Sequence, residues 1–155
     1  MSLVHQITEY LLNMNLSFTV HPSGYWQLRF FEDDNKPKIN IRIFFAGKFL
    51  YLGSTTLLRL EELEPQERDS YRAKLLKAND EFPIGKYSGE NEVRAEVTQW
   101  IIDGISESQF KLNYETVLRL TFGFDSAVQG PDPVDLDELM DQLINPPEDD
   151  DQNDS

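Results

Sequence analysis

The sequence predicts an α+β domain: an antiparallel sheet of about five strands with helices packed on it. Three observations predict this class. Apolar residues alternate with polar ones over Ile39 to Phe45 and again over Val93 to Ile101, the period-two mark of strands with one buried face. Apolar residues recur at helical spacing in three other stretches, around Ile7, Leu75 and Val117. The connections between the early strands are short, and the helices stand outside runs of strands, which separates α+β from alternating α/β folds. The expected order is α-β-β-β-α-β-β-α, followed by a short acidic C-terminal helix.

The first helix is expected over Val4 to Met14, with Ile7, Tyr10, Leu11 and Met14 on one face. Asn13 and Asn15 flank its end, where asparagine tolerates left-handed backbone. Leu16, Phe18 and Val20 alternate until His21-Pro22-Ser23-Gly24 makes a turn. An aromatic-rich strand follows over Tyr25 to Phe31, and Glu32 to Pro37 reads as a polar turn. The second strand is Lys38 to Phe45, with Ile39, Ile41, Ile43 and Phe45 toward the core. Ala46-Gly47-Lys48 turns it into a third strand, Phe49 to about Thr56, which completes an antiparallel meander. Leu57 to Leu63 fits a loop and a short helical turn equally.

Pro65 sits well at a first helical position, and Glu67 and Asp69 lie near the positive helix end. Tyr71, Leu75 and Ala78 give that helix its apolar stripe. Pro83 stops it by about Phe82. Ile84 to Ser88 is expected as a short strand, turned by Gly89-Glu90-Asn91 into a long strand from Glu92 to Ile102. Asp103-Gly104 closes it. Ser106 with Gln109 three residues on is a capping-box pattern. Phe110, Tyr114, Val117, Leu118, Thr121 and Phe122 are expected on the buried face of the last large helix, which Gly123 ends.

The domain is thus expected over residues 4–124, with an acidic extension over 125–155. In the extension, Asp132 and Pro133 suit a helix start at about 133. Leu136, Leu139, Met140, Leu143 and Ile144 make an apolar face up to about 144, and Asn145-Pro146-Pro147 ends it. From Glu148 onward no apolar residue offsets the entropy of ordering, so disorder is expected.

Composition excludes more chemistry than it suggests. At 155 residues the chain is long enough for a hydrophobic core without staples, and it contains no cysteine, which removes disulfides and thiolate sites. No apolar run approaches a membrane span, and the N-terminus lacks a secretion-signal pattern, so a soluble cytoplasmic protein is the expectation. The formal charge is −14, and Pro131 to Ser155 holds ten of the 28 acids and none of the 14 bases. Such a charge repels nucleic-acid backbones. A run of this kind serves as a solubilising terminus or as an interaction segment.

His5 and His21 lie on separate elements, so no metal pair or catalytic triad is expected. Gly47-Lys48 and Gly85-Lys86 lack the upstream glycine and the following Ser or Thr of a phosphate loop. The acidic clusters lack calcium-loop spacing. No cofactor is expected, and the chain reads as a non-enzyme. What remains is surface. Trp26, Phe30, Phe44 and Trp100 are expected opposite the core face of their strands. There they bind a partner or lie under a second layer, such as the first helix, the tail helix or a dimer mate.

The stretch Asn79-Asp80-Glu81-Phe82-Pro83-Ile84-Gly85-Lys86-Tyr87 resembles the YbjN-like family of small bacterial proteins, whose fold is similar to that of type III secretion chaperones. Asn79, Phe82, Pro83, Gly85 and Lys86 carry the resemblance, with Val93 to Val97 as a strand and Ser106 to Leu118 as the family's last helix. It covers about Ile7 to Phe122 and leaves the acidic tail outside. The resemblance implies an α+β domain, often a homodimer, with no known catalytic centre. Chaperones of this fold bind client proteins along apolar surfaces, and the family's own members are labelled candidate sensory-transduction regulators. The expected function is therefore a chaperone-like or regulatory module that binds another protein. Its partner surface would include the four strand aromatics and Leu136, Leu139, Met140 and Leu143, docking in cis or in trans. A small-molecule sensor or an enzyme is the alternative.

Overall fold

The computed structural model describes residues 2–33, 36–129 and 143–144. Helix α1 (Leu3–Asn13) is capped by Ser2, whose side chain accepts from the His5 backbone N–H, and it buries Ile7 and Leu11. Asn15 takes the left-handed conformation at φ 55°, as its position at the helix end predicts. Strands β1 (Thr19–Val20), β2 (Trp26–Asp33), β3 (Lys36–Ala46) and β4 (Phe49–Ser54) follow, each antiparallel to the one before. The tight turn between β3 and β4 is Gly47-Lys48, with Gly47 at φ 59°. Then come β5 (Leu58–Arg59), a 3-10 turn (Leu60–Glu62) and α2 (Pro65–Asn79). The chain continues through β6 (Lys86–Ser88), β7 (Glu92–Trp100), α3 (Glu107–Phe122) and α4 (Phe124–Gln129).

The fold is α+β, with one antiparallel sheet of seven strands among the described residues. The five expected strands are all present, and the two additions, β1 and β5, are two residues each. Strand β7 is the hub. It pairs with β4 through Phe49–Trp100 to Gly53–Glu96, with β5 just beyond, and with β6 along its other edge. The polar stretch from Glu32 to Pro37, expected as a turn, is mostly strand: β2 runs to Asp33 and β3 begins at Lys36. The ladder absorbs Pro37, which has no N–H to donate, through register shifts on either side of Phe31.

The core lies between one sheet face and the helices. Leu28, Ile41, Ile43, Leu50, Leu52, Val93, Ala95 and Val97 point into it, against Ile7 and Leu11 of α1 and Phe110, Tyr114, Val117 and Leu120 of α3. Burying each such side chain contributes on the order of 2 kcal/mol. Phe122, expected in this face, is exposed and meets the ring of Phe30 edge-on at the margin. Gly123 ends α3, and α4 follows directly, burying Phe124 and Val128. The capping pattern is half realised. The Ser106 side chain accepts from the Gln109 backbone N–H, while the Gln109 side chain turns to Gln99 and the buried Asn113.

The stretch from Asn79 to Tyr87 is a crossing from α2 into the sheet. Asn79 accepts from the Tyr87 N–H at 2.7 Å and donates to the Tyr87 carbonyl at 3.1 Å. It thereby satisfies backbone groups that face away from β7, and it closes an edge that another strand could otherwise extend. Phe82 packs against the core, and Pro83 is exposed just past the end of α2. Gly85 sits at φ 80° with Val97, Thr116 and Leu120 about it, so a Cβ there would fall within 3.0 Å of all three side chains. Lys86 is at the surface, 3.8 Å from Glu96.

Candidate functional site

The helices α1, α2 and α3 all place their buried residues on the core side of the sheet, so the opposite face has no helix over it among the described residues. Strand alternation decides what that face carries. Phe44 and Tyr51 are cross-strand partners, with ring centroids 4.6 Å apart. Phe49 and Trp100 are partners one strand over, edge to face at 4.7 Å, and stand 39% and 48% exposed. Lys48 reaches over the Trp100 ring and Arg42 over the Tyr25 ring, at 5.9 and 5.5 Å. Both distances suit cation–π attraction.

The Tyr51 ring occupies the space that a Cβ on Gly53 would need, which explains glycine opposite Glu96 in the ladder. Burial, and then the charge and hydrogen bond of Glu96, push the Tyr51 phenol up to about 12. Glu96 also faces Lys86. Glu92 is held by Arg94 at 2.8 Å and by the Thr56 hydroxyl at 3.1 Å. No described carboxylate lies within ion-pair distance of Arg29 or Arg42.

The four sequence-predicted aromatics divide between the two faces. Phe44 and Trp100 are on the open face. Trp26 is not: it is 3% exposed, opposite Ile43 in the ladder, with its indole N–H donated to the Thr8 hydroxyl of α1. Phe30 lies opposite Ile39, on that same inner face. Residues paired across a ladder share a face, and a one-residue error in register moves a whole strand to the other side. The first helix is indeed a covering layer, and Trp26 is what it covers. Phe49, Tyr51 and the cations around them were not singled out from sequence. Tyr51 was legible in principle, because it alternates with Leu50 and Leu52. Of the tail candidates, Leu136, Leu139 and Met140 lie outside the described residues. Leu143 is described, with Ile144, as helical and exposed.

A second feature is a cleft of ≈ 520 Å³ between α2 and the turn joining β6 to β7. Leu60, Leu75, Tyr87 and Val93 form its apolar side, and Arg72 and Asn91 its polar rim. Arg72 is tied to the Glu90 carbonyl and faces Asp69. Among the described residues no cluster of His, Asp or Glu could hold a metal ion, and no helix is long and apolar enough to cross a membrane.

No family model and no curated protein matches the chain. Solved structures do. One is YbjN from E. coli, described as a candidate transcription regulator. It is similar at TM-score 0.53 and 13% identity, over 81% of this chain and 87% of that one. Another is an uncharacterized protein from Methanothermobacter thermautotrophicus, at TM-score 0.57 and 12% identity, over 83% and 97%. At these identities the likeness shows the fold, which is YbjN-like.

Proposed function

We infer that this chain is a non-catalytic, YbjN-like protein-binding module, chaperone-like or regulatory, that engages another protein through the open sheet face. One observation carries the reading: Phe44, Phe49, Tyr51 and Trp100 cluster on a sheet face that no described helix covers. Aromatic rings with cations at their edge are the side chains that dominate binding energy at protein interfaces. The E. coli neighbour's description as a candidate transcription regulator supports a regulatory role over a catalytic one. The module works in the cytoplasm as a homodimer, with no cofactor, nucleic acid or membrane among its partners.

The test is capture of a partner by the immobilised full chain, compared with Phe49→Ala and Trp100→Ala. Each substitution is expected to weaken capture at least tenfold, the size expected when an interface anchor is lost. Equal capture by all three proteins would overturn the reading. The alternative, a small-molecule sensor, is favoured by the cleft beside α2, whose volume falls in the range of ligand sites. A metabolite that raises the melting temperature of the intact chain, and not that of Leu75→Phe, would favour it.

A further inference from the structure

The ladder sorts the open sheet face into rows. Arg42 lies opposite Gly53, and Gly53 opposite Glu96, which in turn faces Lys86 on β6. Two residues further along the strands, Phe44, Tyr51 and Thr98 form the next row, and Phe49 with Trp100 forms the one after. The Lys48 ammonium stands over the Trp100 ring at that far end. The aromatic patch therefore lies between Arg42 and Lys48. A strand advances about 3.4 Å per residue, so two rows separate the cations by about 14 Å along the strands.

This face has the opposite sign to the chain, whose formal charge is −14. Arg29, Arg42 and Lys48 are exposed, and no described carboxylate is within ion-pair distance of them. Among the described side chains at outward positions of these strands, the carboxylates are Glu92 and Glu96. Both are engaged, Glu92 by Arg94 and the Thr56 hydroxyl, and Glu96 by Lys86 and the Tyr51 phenol. The positive charge beside the rings is left for a group outside these strands. A second copy docked face to face would set Arg42 and Lys48 against cations of its own, a like-charge contact. Single-stranded nucleic acid needs free ring faces for its bases. Here Lys48 stands over Trp100, Arg42 over Tyr25, and the Phe44 and Tyr51 rings pack on each other. The chain's net charge also repels a phosphate backbone. An acidic protein segment suits both halves of the surface: apolar side chains on the rings, carboxylates at the cations on either end.

We propose that the open sheet face takes an acidic, amphipathic segment of another protein, with apolar side chains against Phe44, Phe49, Tyr51 and Trp100 and carboxylates at Arg42 and Lys48. The proposal rests on the reading of this face as a protein-binding surface and names the chemistry of the partner. The rings supply the affinity, and the flanking cations select the partner by charge and speed its approach.

The test is fluorescence anisotropy of labelled peptides with the full chain. One peptide is built of Leu, Trp and Glu; its counterparts carry Gln or Lys in place of every Glu. The acidic peptide is expected to bind about tenfold more tightly than the Lys peptide, with the gap closing as salt screens the charges. The protein that combines Arg42→Glu with Lys48→Glu, both at exposed positions, is expected to reverse that order. Reversal requires a folded, binding face, so unfolding cannot imitate it. No binding of the acidic peptide, equal binding of all three, or an unchanged order in the double variant overturns the proposal. Tighter binding of an oligothymidine than of the acidic peptide also overturns it and assigns the face to single-stranded nucleic acid. Self-association that weakens with Trp100→Ala overturns it in favour of a second copy. Phe49→Ala separates the two readings, because it is expected to weaken every peptide that binds. If it does so while the order of the peptides ignores charge, the functional reading stands and this inference alone falls. If it weakens none of them, the reading of the face falls as well.

Discussion

The two faces of the sheet are made from alternate residues of the same strands, and they follow different rules. The inner face is aliphatic and closed. Ile41, Ile43, Leu50 and Leu52 are fully buried, and its polar groups are spoken for: Ser54 donates to the Thr55 carbonyl and accepts from the Ala95 N–H, and Asn113 bonds to Gln99 and Gln109. The outer face carries aromatic rings and cations. Their contacts are with one another across strands, not with a covering helix. A sheet that needed only to fold could carry short polar residues outside. Large aromatics left half-exposed there indicate a surface built to be covered by something else.

The sharpest way to break the comparison uses neighbours on one strand. Ile43→Ala leaves a cavity in the closed face and is expected to cost about 4 kcal/mol; Phe44→Ala, one residue on and facing out, is expected to cost about 1 kcal/mol. Urea unfolding of the two variants measures both. Equal losses would mean that the outer face is a second core, covered in the free protein.

A smaller effect probes how the inner face is closed at the edge. Gly85 has the left-handed backbone that a side chain resists, and it lies against Val97, Thr116 and Leu120. Gly85→Ala combines backbone strain with overpacking and is expected to cost about 3 kcal/mol. The melting temperature should fall while partner capture by the folded fraction stays unchanged, since Gly85 faces the helices. Loss of capture at full stability would place the binding surface on the wrong side of the sheet.

The closed face was far more legible in the sequence than the open one, for a physical reason. Burial imposes periodicity, and periodicity can be read: the isoleucines of β3, the valines of β7 and, apart from Phe122 at its end, the stripe of α3 lie where their spacing predicts. Stop signals were equally plain, because Pro83, Gly123 and the Ser106 cap act through local backbone chemistry. The rest depended on partners distant in the chain. Trp26 is placed inside by its register against Ile43 and by Thr8 of α1, neither of which its own strand reveals. Helix α4 was hidden because Gly123 reads as an end, and β1 and β5 because two residues carry no period. The outer surface is a juxtaposition of Phe44, Phe49, Tyr51 and Trp100 from three strands, so it exists only once the ladder is aligned. Within the stretch from Asn79 to Lys86 the local tasks are geometric: Asn79 binds the Tyr87 backbone, and Gly85 takes left-handed backbone against Val97, Thr116 and Leu120.

The smallest expected effect concerns tyrosines on the two faces. Tyr51 on the outer face and Tyr87 on the inner are both pushed from 10.0 up to about 12, chiefly by burial, with Glu96 adding to the first and Glu81 to the second. The folded protein then holds these protons to higher pH than the unfolded chain. Between about pH 10 and 12 the native state binds more protons, so stability falls as pH rises. The contribution is fully present below about pH 10 and is lost as pH passes through about 12. Phenolate absorbance in the folded protein should show both groups titrating late. Gly53→Ala separates them. The new methyl needs the space of the Tyr51 ring, which can swing away into solvent, so global stability should change by less than about 1 kcal/mol. One phenol should then titrate nearer 10 while that of Tyr87, donated to the Leu120 carbonyl, stays late. If both stay late, Tyr51 is held by more than its seat on Gly53, and the outer face is better ordered than its exposure implies.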